Sequence, residues 1–104
     1  MEKWVKLETT DGYSVSSDGR IKDSRDRVCK TFDDGGGSLL VKLKKNSLFC
    51  LEYVDRLVAK AFVNNPEHYL LLEHIDGDTH NCRAKNLRWC MQWTDKIGQK
   101  RGGA

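Results

Sequence analysis

The spacing of hydrophobic and polar positions changes partway along the chain. Residues 3–8, Lys-Trp-Val-Lys-Leu-Glu, alternate and predict a strand. Gly12 to Ser16 and Gly19 to Lys22 flank Ser17-Asp18, so Asp18-Gly19 predicts the turn of a short hairpin. Another strand is expected over residues 27–32, ahead of a flexible Gly35-Gly36-Gly37 connection. Leu39, Val41 and Leu43 then alternate with Leu40, Lys42 and Lys44. A turn is expected at Lys45-Asn46, with Leu48 to Tyr53 returning. Together these runs predict a small antiparallel sheet with one wet, lysine-bearing face.

At Val54 the period lengthens. Val54, Val58 and Phe62 recur every four residues, as do Leu57 and Ala61. That is the apolar stripe of a helix, with Arg56 and Lys60 on another face. Asp55 falls in its first turn, where an acid suits the helix dipole. Asn64-Asn65-Pro66 ends it. Tyr69-Leu70-Leu71-Leu72 reads as a buried strand leading into Glu73-His74. After the Asp76-Gly77 turn and a loop, Leu87-Arg88-Trp89 returns as a partner strand. A last short helix is expected over about residues 92–100, weakened by Gly98. The fold class is α+β: a small antiparallel sheet, then a helix and a ββα unit. Residues 1–53 form the β-rich part and 54–104 the rest, within one compact domain.

Composition narrows the class. Of 104 residues, 38% are hydrophobic and 32% charged, as in a small folded domain with a charged surface. No apolar run approaches the ~20 residues of a membrane span. Met1-Glu2-Lys3-Trp4 does not open a signal peptide. A cytosolic protein without a membrane partner is expected. The net charge of +3 is mild and fits a solvated surface as well as a phosphate track. Cys29, Cys50, Cys82 and Cys90 form no C-x-x-C pair, so reduced, packed thiols are expected rather than structural zinc. His80 with Cys82 and Cys90 is the one zinc candidate.

The segment from Glu73 to Asp95 carries the candidate chemistry. Glu73 and His74 are adjacent, Asn86 follows His74 by twelve residues, and Asp95 stands nine further on. An oxygen ligand, a base, a structural amide and a second oxygen ligand suit phosphodiester hydrolysis with one hard divalent ion. The imidazole has an ordinary pKa of about 6.5, near working pH. Strand alternation would turn Glu73 and His74 to opposite faces, so an irregular loop is expected around them. Asn86 would brace that loop through its amide. Asp76-Gly77-Asp78 reads as a turn rather than a ligand set. His68 and His80 are expected at the surface, and Trp4, Trp89 and Trp93 in the core.

Several of these residues resemble a known family. Val54-Asp55-Arg56-Leu57-Val58-Ala59-Lys60-Ala61-Phe62, Asn65-Pro66-Glu67, His74-Ile75-Asp76-Gly77 and Asn86-Leu87-Arg88-Trp89 are similar to HNH endonucleases of the phage and intron homing type. Trp4 and the run Gly12-Tyr13-Ser14-Val15-Ser16-Ser17-Asp18-Gly19-Arg20-Ile21 resemble the DNA-binding motif that accompanies them. The resemblance spans about residues 4–97. It implies a ββα-metal fold that uses magnesium, or another divalent ion such as manganese, to hydrolyse double-stranded DNA, leaving 5′-phosphate and 3′-hydroxyl ends. By position, Glu73 and Asp95 are the implied metal ligands, His74 the general base and Asn86 the brace. Lys42, Lys44, Lys45, Arg56, Arg88 and Lys96 are the basic side chains expected to meet DNA.

The chain departs from the family in four places. Asp55 replaces the His of a usual Val-His-Arg. Cys82 sits where a second Asn is common and Arg88 where an acid is. Asp95 stands where Asn or His is usual, yet it remains an oxygen donor. The rival readings are a non-catalytic DNA-binding module or inhibitor that keeps this fold, and a zinc-stabilised interaction domain.

Overall fold

The computed structural model describes residues 1–92. Strands β1 (Trp4–Lys6), β2 (Ser14–Ser16) and β3 (Ile21–Lys22) make an antiparallel sheet in that order. The expected β2–β3 hairpin is present. Gly19 takes φ +87°, which the turn needs, and the buried Ser16 hydroxyl accepts the amides of Asp18 and Arg20 at 3.1 Å each. A side chain at Gly19 would meet the Cys82 carbonyl at 3.1 Å. The hairpin tip therefore packs directly on the loop that carries the candidate chemistry. Trp4, expected in the core, is half-buried, with the cations of Arg20 and Lys22 over its ring at 5.5 and 4.3 Å.

The strand expected over residues 27–32 is displaced. Val28 makes only an isolated bridge to Lys22, and β4 is Thr31–Asp33. The cause is local: the Asp23 carboxylate accepts the amides of Arg25 and Arg27 at 2.9 and 3.0 Å, and that turn uses up the residues before Val28. β5 (Leu39–Lys45) pairs with β4 on one side and with β6 (Leu48–Tyr53) on the other. Their turn is Asn46-Ser47, one residue later than expected, with φ of 51° and 65° at the two positions. Both turn amides donate to the Asp11 carboxylate, tying the two sheets together.

The register assigns the faces. Leu40↔Tyr53, Lys42↔Leu51 and Lys44↔Phe49 share one face, while Val41 and Leu43 point the other way and are fully buried. Each of those two contributes about 1.5–3 kcal/mol by leaving water. Helix α1 (Val54–Phe62) lays Val54, Val58 and Ala59 onto the same core. β7 (Leu71–His74) and β8 (Leu87–Cys90) form a separate antiparallel pair. β7 begins two residues later than the apolar run suggests, since Leu70 is 80% exposed. Leu72, Cys82 and Leu87 complete one core cluster with Val15, Ile21, Val41, Leu43 and Val58. The architecture is α+β, built of antiparallel sheets and one helix among the described residues. The helix expected over residues 92–100 lies outside them but for its first position. Among the described residues no helix is long and apolar enough to cross a membrane.

Candidate active site

Glu73 and His74 are consecutive residues of β7, 3% and 1% exposed. The irregular loop expected around them is not there. Both lie in regular ladder positions, Glu73 opposite Arg88 and His74 opposite Leu87. Strand alternation sends them to opposite faces, and each face brings its own partner. The Glu73 carboxylate meets the Arg88 guanidinium at 2.5 Å. His74 faces α1, where Oδ2 of Asp55 stands 3.4 Å from Nε2.

The irregular segment begins directly after His74. The Ile75 amide donates to the Asn86 carbonyl at 2.8 Å, and the Gly77 amide to the His74 carbonyl at 2.9 Å. Gly77 takes φ +81°, so the Asp76-Gly77 turn suits glycine there. Asn86 is buried at the end of a short 3₁₀ turn, Ala84–Asn86, and binds across the loop. Its Nδ2 donates to Oδ1 of Asp76 at 3.0 Å and to the Asn81 carbonyl at 2.9 Å, and its Oδ1 accepts the Asp76 amide at 3.0 Å. The loop is also fastened from outside. The Ala84 amide donates to the Ser17 carbonyl, the Thr79 hydroxyl to the Gly37 carbonyl, and His80 Nε2 lies 2.6 Å from Asp33.

Asp76 serves this turn. The Asn81 amide group, the Asp78 N–H and Asn86 donate to its carboxylate and hold it below the usual range. Asp33 is likewise lowered, by His80 and then by the Gly35 and Gly37 amides. A depressed carboxylate contributes stability above its unfolded pKa of about 3.9 and loses it as pH falls through its folded value. The melting temperature should therefore hold down to about pH 4 and fall below it. Asp76→Asn should flatten that acid limb. A limb of the same steepness in the variant would mean that the turn does not couple to acid unfolding.

The predicted DNA-facing residues separate. Lys42 and Lys44 lie on the exposed sheet face, with their ammonium groups 4.4 and 5.0 Å from the Phe49 ring centre. Lys45 has the opposite parity and pairs with Glu52 at 2.6 Å, so it does not extend that lysine row. Arg56 donates to the Leu70 carbonyl and lies over the Trp89 ring. Arg88 is engaged by Glu73. Asp95 and Lys96 lie outside the described residues, as does Trp93. Cys82 is buried, and desolvation, then the charges of Asp55 and Asp78, push its thiol up to about 12. A thiol held so far into the neutral form is unreactive at physiological pH. Among the described residues no group of three or more His, Cys, Asp and Glu side chains is arranged to hold a metal.

Asp55 is the neighbour of His74 that sequence reasoning missed. A signal existed. Asp55 stands three residues before Val58 and seven before Phe62, on the apolar stripe itself. A carboxylate there needs a partner inside the fold.

No family model matches the chain. Two uncharacterised HNH endonucleases of Acanthamoeba polyphaga mimivirus are 34% and 33% identical to it over 87 and 90 residues. Each match covers 84% of this chain but only 26% and 23% of those proteins, so the chain spans about a quarter of their length. A solved structure of the HNH homing endonuclease I-HmuI, a protein that binds and cleaves DNA, superposes with a TM-score of 0.78. That match covers 97% of this chain and 59% of I-HmuI at 28% identity. The chain is thus similar to HNH endonucleases in sequence and to I-HmuI in fold.

Proposed function

We propose that the chain is a metal-dependent HNH endonuclease unit that nicks or cuts double-stranded DNA in the cytosol, leaving 5′-phosphate and 3′-hydroxyl ends. The observation that carries this reading is the buried Glu73-His74 pair at the mouth of a loop pinned by Asn86. Glu73 offers a hard oxygen donor of the kind magnesium prefers. Magnesium or manganese held by Glu73 and Asp95 would neutralise charge on the phosphate and on the leaving 3′ oxygen. His74 takes a proton from the attacking water. Asn86 keeps the loop backbone fixed beside it. Lys42 and Lys44 offer positive charge to phosphates from the sheet face. Two observations favour the rival, a non-catalytic DNA-binding module: the Arg88 guanidinium already occupies the Glu73 carboxylate, and Glu73 and His74 point to opposite faces of β7.

Supercoiled plasmid incubated with the purified chain and magnesium should relax to the nicked form, and a chelator should stop it. Retained duplex binding without nicking would leave the DNA-binding module. The lysine face has its own test. If Lys42 and Lys44 neutralise phosphates, affinity should fall with salt at a log–log slope of about 0.9 per phosphate. Replacing both by Ala should make the slope shallower by up to about 2. An unchanged slope would return them to ordinary surface charge.

A further inference from the structure

We propose that the cleft between α1 and residues 63–70 is a binding site for a phosphate group, with Arg56, Lys60 and His68 as its donors. The site does not depend on the nicking reaction and shares no residue with Glu73, His74 or Asn86.

The cleft has a volume of about 550 Å³, within the range of pockets that take small ligands. Arg56, Lys60 and His68 line it, and no carboxylate does. Val63 and Trp89 supply an apolar wall, where the indole N–H donates to the Val63 carbonyl at 3.2 Å. Arg56 is already oriented. Its Nη2 donates to the Leu70 carbonyl at 2.8 Å, and its guanidinium lies 5.6 Å from the Trp89 ring centre. A guanidinium carries five donors in a fixed fork that matches phosphate oxygens, and Leu70 takes one of them. Lys60 follows Arg56 by four residues, and like charges at that spacing destabilise a helix. An anion held between them removes the repulsion. Lys60 also borders a second groove beside Glu8 and Glu52, but among the described residues it forms no ion pair with either, and Glu52 is paired with Lys45.

The opposite wall is a locked turn. Oδ1 of Asn65 accepts the Tyr69 amide and its Nδ2 donates to the Tyr69 carbonyl, both at 2.9 Å. The His68 amide donates to the Asn65 carbonyl at 3.0 Å. The turn holds His68 at φ 57°, a left-handed conformation that glycine takes more easily than a residue with a side chain. An exposed imidazole therefore stands at the cleft at some cost to the backbone, as residues at binding sites often do. The competing role for Lys60, a cation favourable to the end of the helix dipole, accounts for neither the imidazole nor the oriented guanidinium. A backbone phosphate of DNA and the phosphate of a free nucleotide present the same chemistry to these donors.

The test follows the Trp89 indole N–H of the full ¹⁵N-labelled chain, the signal lost in Trp89→Phe. Should Trp89→Phe not fold, the signal is the one kept in both Trp4→Phe and Trp93→Phe. Inorganic phosphate, added at an ionic strength held constant with chloride, should move it saturably. A deoxynucleoside monophosphate and a short DNA duplex are titrated in the same way, and the lower midpoint of the two identifies the source of the phosphate. Lys60→Glu should abolish the saturable shift. Lys30→Glu, the same charge change at an exposed position outside the cleft, should leave it intact. His68→Gly should raise the midpoint by about two- to fivefold, the usual worth of an exposed charged contact. It should melt no lower than wild type, because glycine suits the left-handed position. No saturable shift with any of the three probes, equal losses in Lys60→Glu and Lys30→Glu, or an unaltered midpoint in His68→Gly would overturn the proposal. Phosphate binding by a chain that does not nick plasmid would defeat the nuclease reading alone and leave this site standing.

Discussion

His74→Ala is expected to slow plasmid nicking by about 10²–10⁴-fold, the usual span for a lost general base. Duplex binding in a gel shift should be unaffected. The side chain is almost wholly inside the fold, so removing it takes no charge from the surface that meets DNA. It does leave a small hole beside α1, and a stability loss of about 1–3 kcal/mol is the common outcome of such a truncation. Rates should therefore be compared well below the melting temperature. His74→Gln, which fills more of the space but cannot take a proton, should be as slow as the alanine variant. If His74→Gln nicks at the wild-type rate, the imidazole is not the base, and its burial is structural.

Where one periodicity dominated, the sequence was legible. Val41 and Leu43 against Lys42 and Lys44 fixed the two faces of β5, and the four-residue recurrence from Val54 fixed α1. It failed where side chains bond to backbone. The Asp23 turn displaced the strand expected over residues 27–32, and nothing in the hydrophobic pattern marks that turn. Lys45 was grouped with its neighbours by charge, whereas strand parity turns it toward Glu52. The largest misreading concerned Glu73 and His74. Alternation separates them, and only an irregular loop would bring them back together. The structure leaves them on opposite faces of a regular strand, with α1 reaching one and β8 the other. Such pairings join residues distant in the chain, so the local pattern does not carry them. The Asn86 brace was legible because it depends on residue type and a short loop.

The Glu73–Arg88 pair gives the second large effect. Its two ends differ in burial: the Glu73 side chain is 4% exposed and that of Arg88 50%. Removing Arg88 takes an ion-pair partner from a buried carboxylate, and losing a hydrogen bond to a charged group costs about 1.5–3 kcal/mol. Removing Glu73 releases an arginine that water can serve. Arg88→Ala should therefore melt lower than wild type in chelator, by about 4–8 °C per kcal/mol for a domain of this size. If Glu73 also binds the ion, magnesium should restore much of that loss, because a cation again neutralises the carboxylate. A ligand that binds only the folded state raises stability with its concentration. Glu73→Ala should show the converse: little loss in chelator, no magnesium-dependent rise in melting temperature, and no magnesium-dependent nicking. The measurement is thermal melting of the three proteins across magnesium concentrations, read beside their nicking rates. A magnesium response in Glu73→Ala equal to that of wild type would remove Glu73 from the metal site and leave its pairing with Arg88 as a structural contact of the β7–β8 ladder.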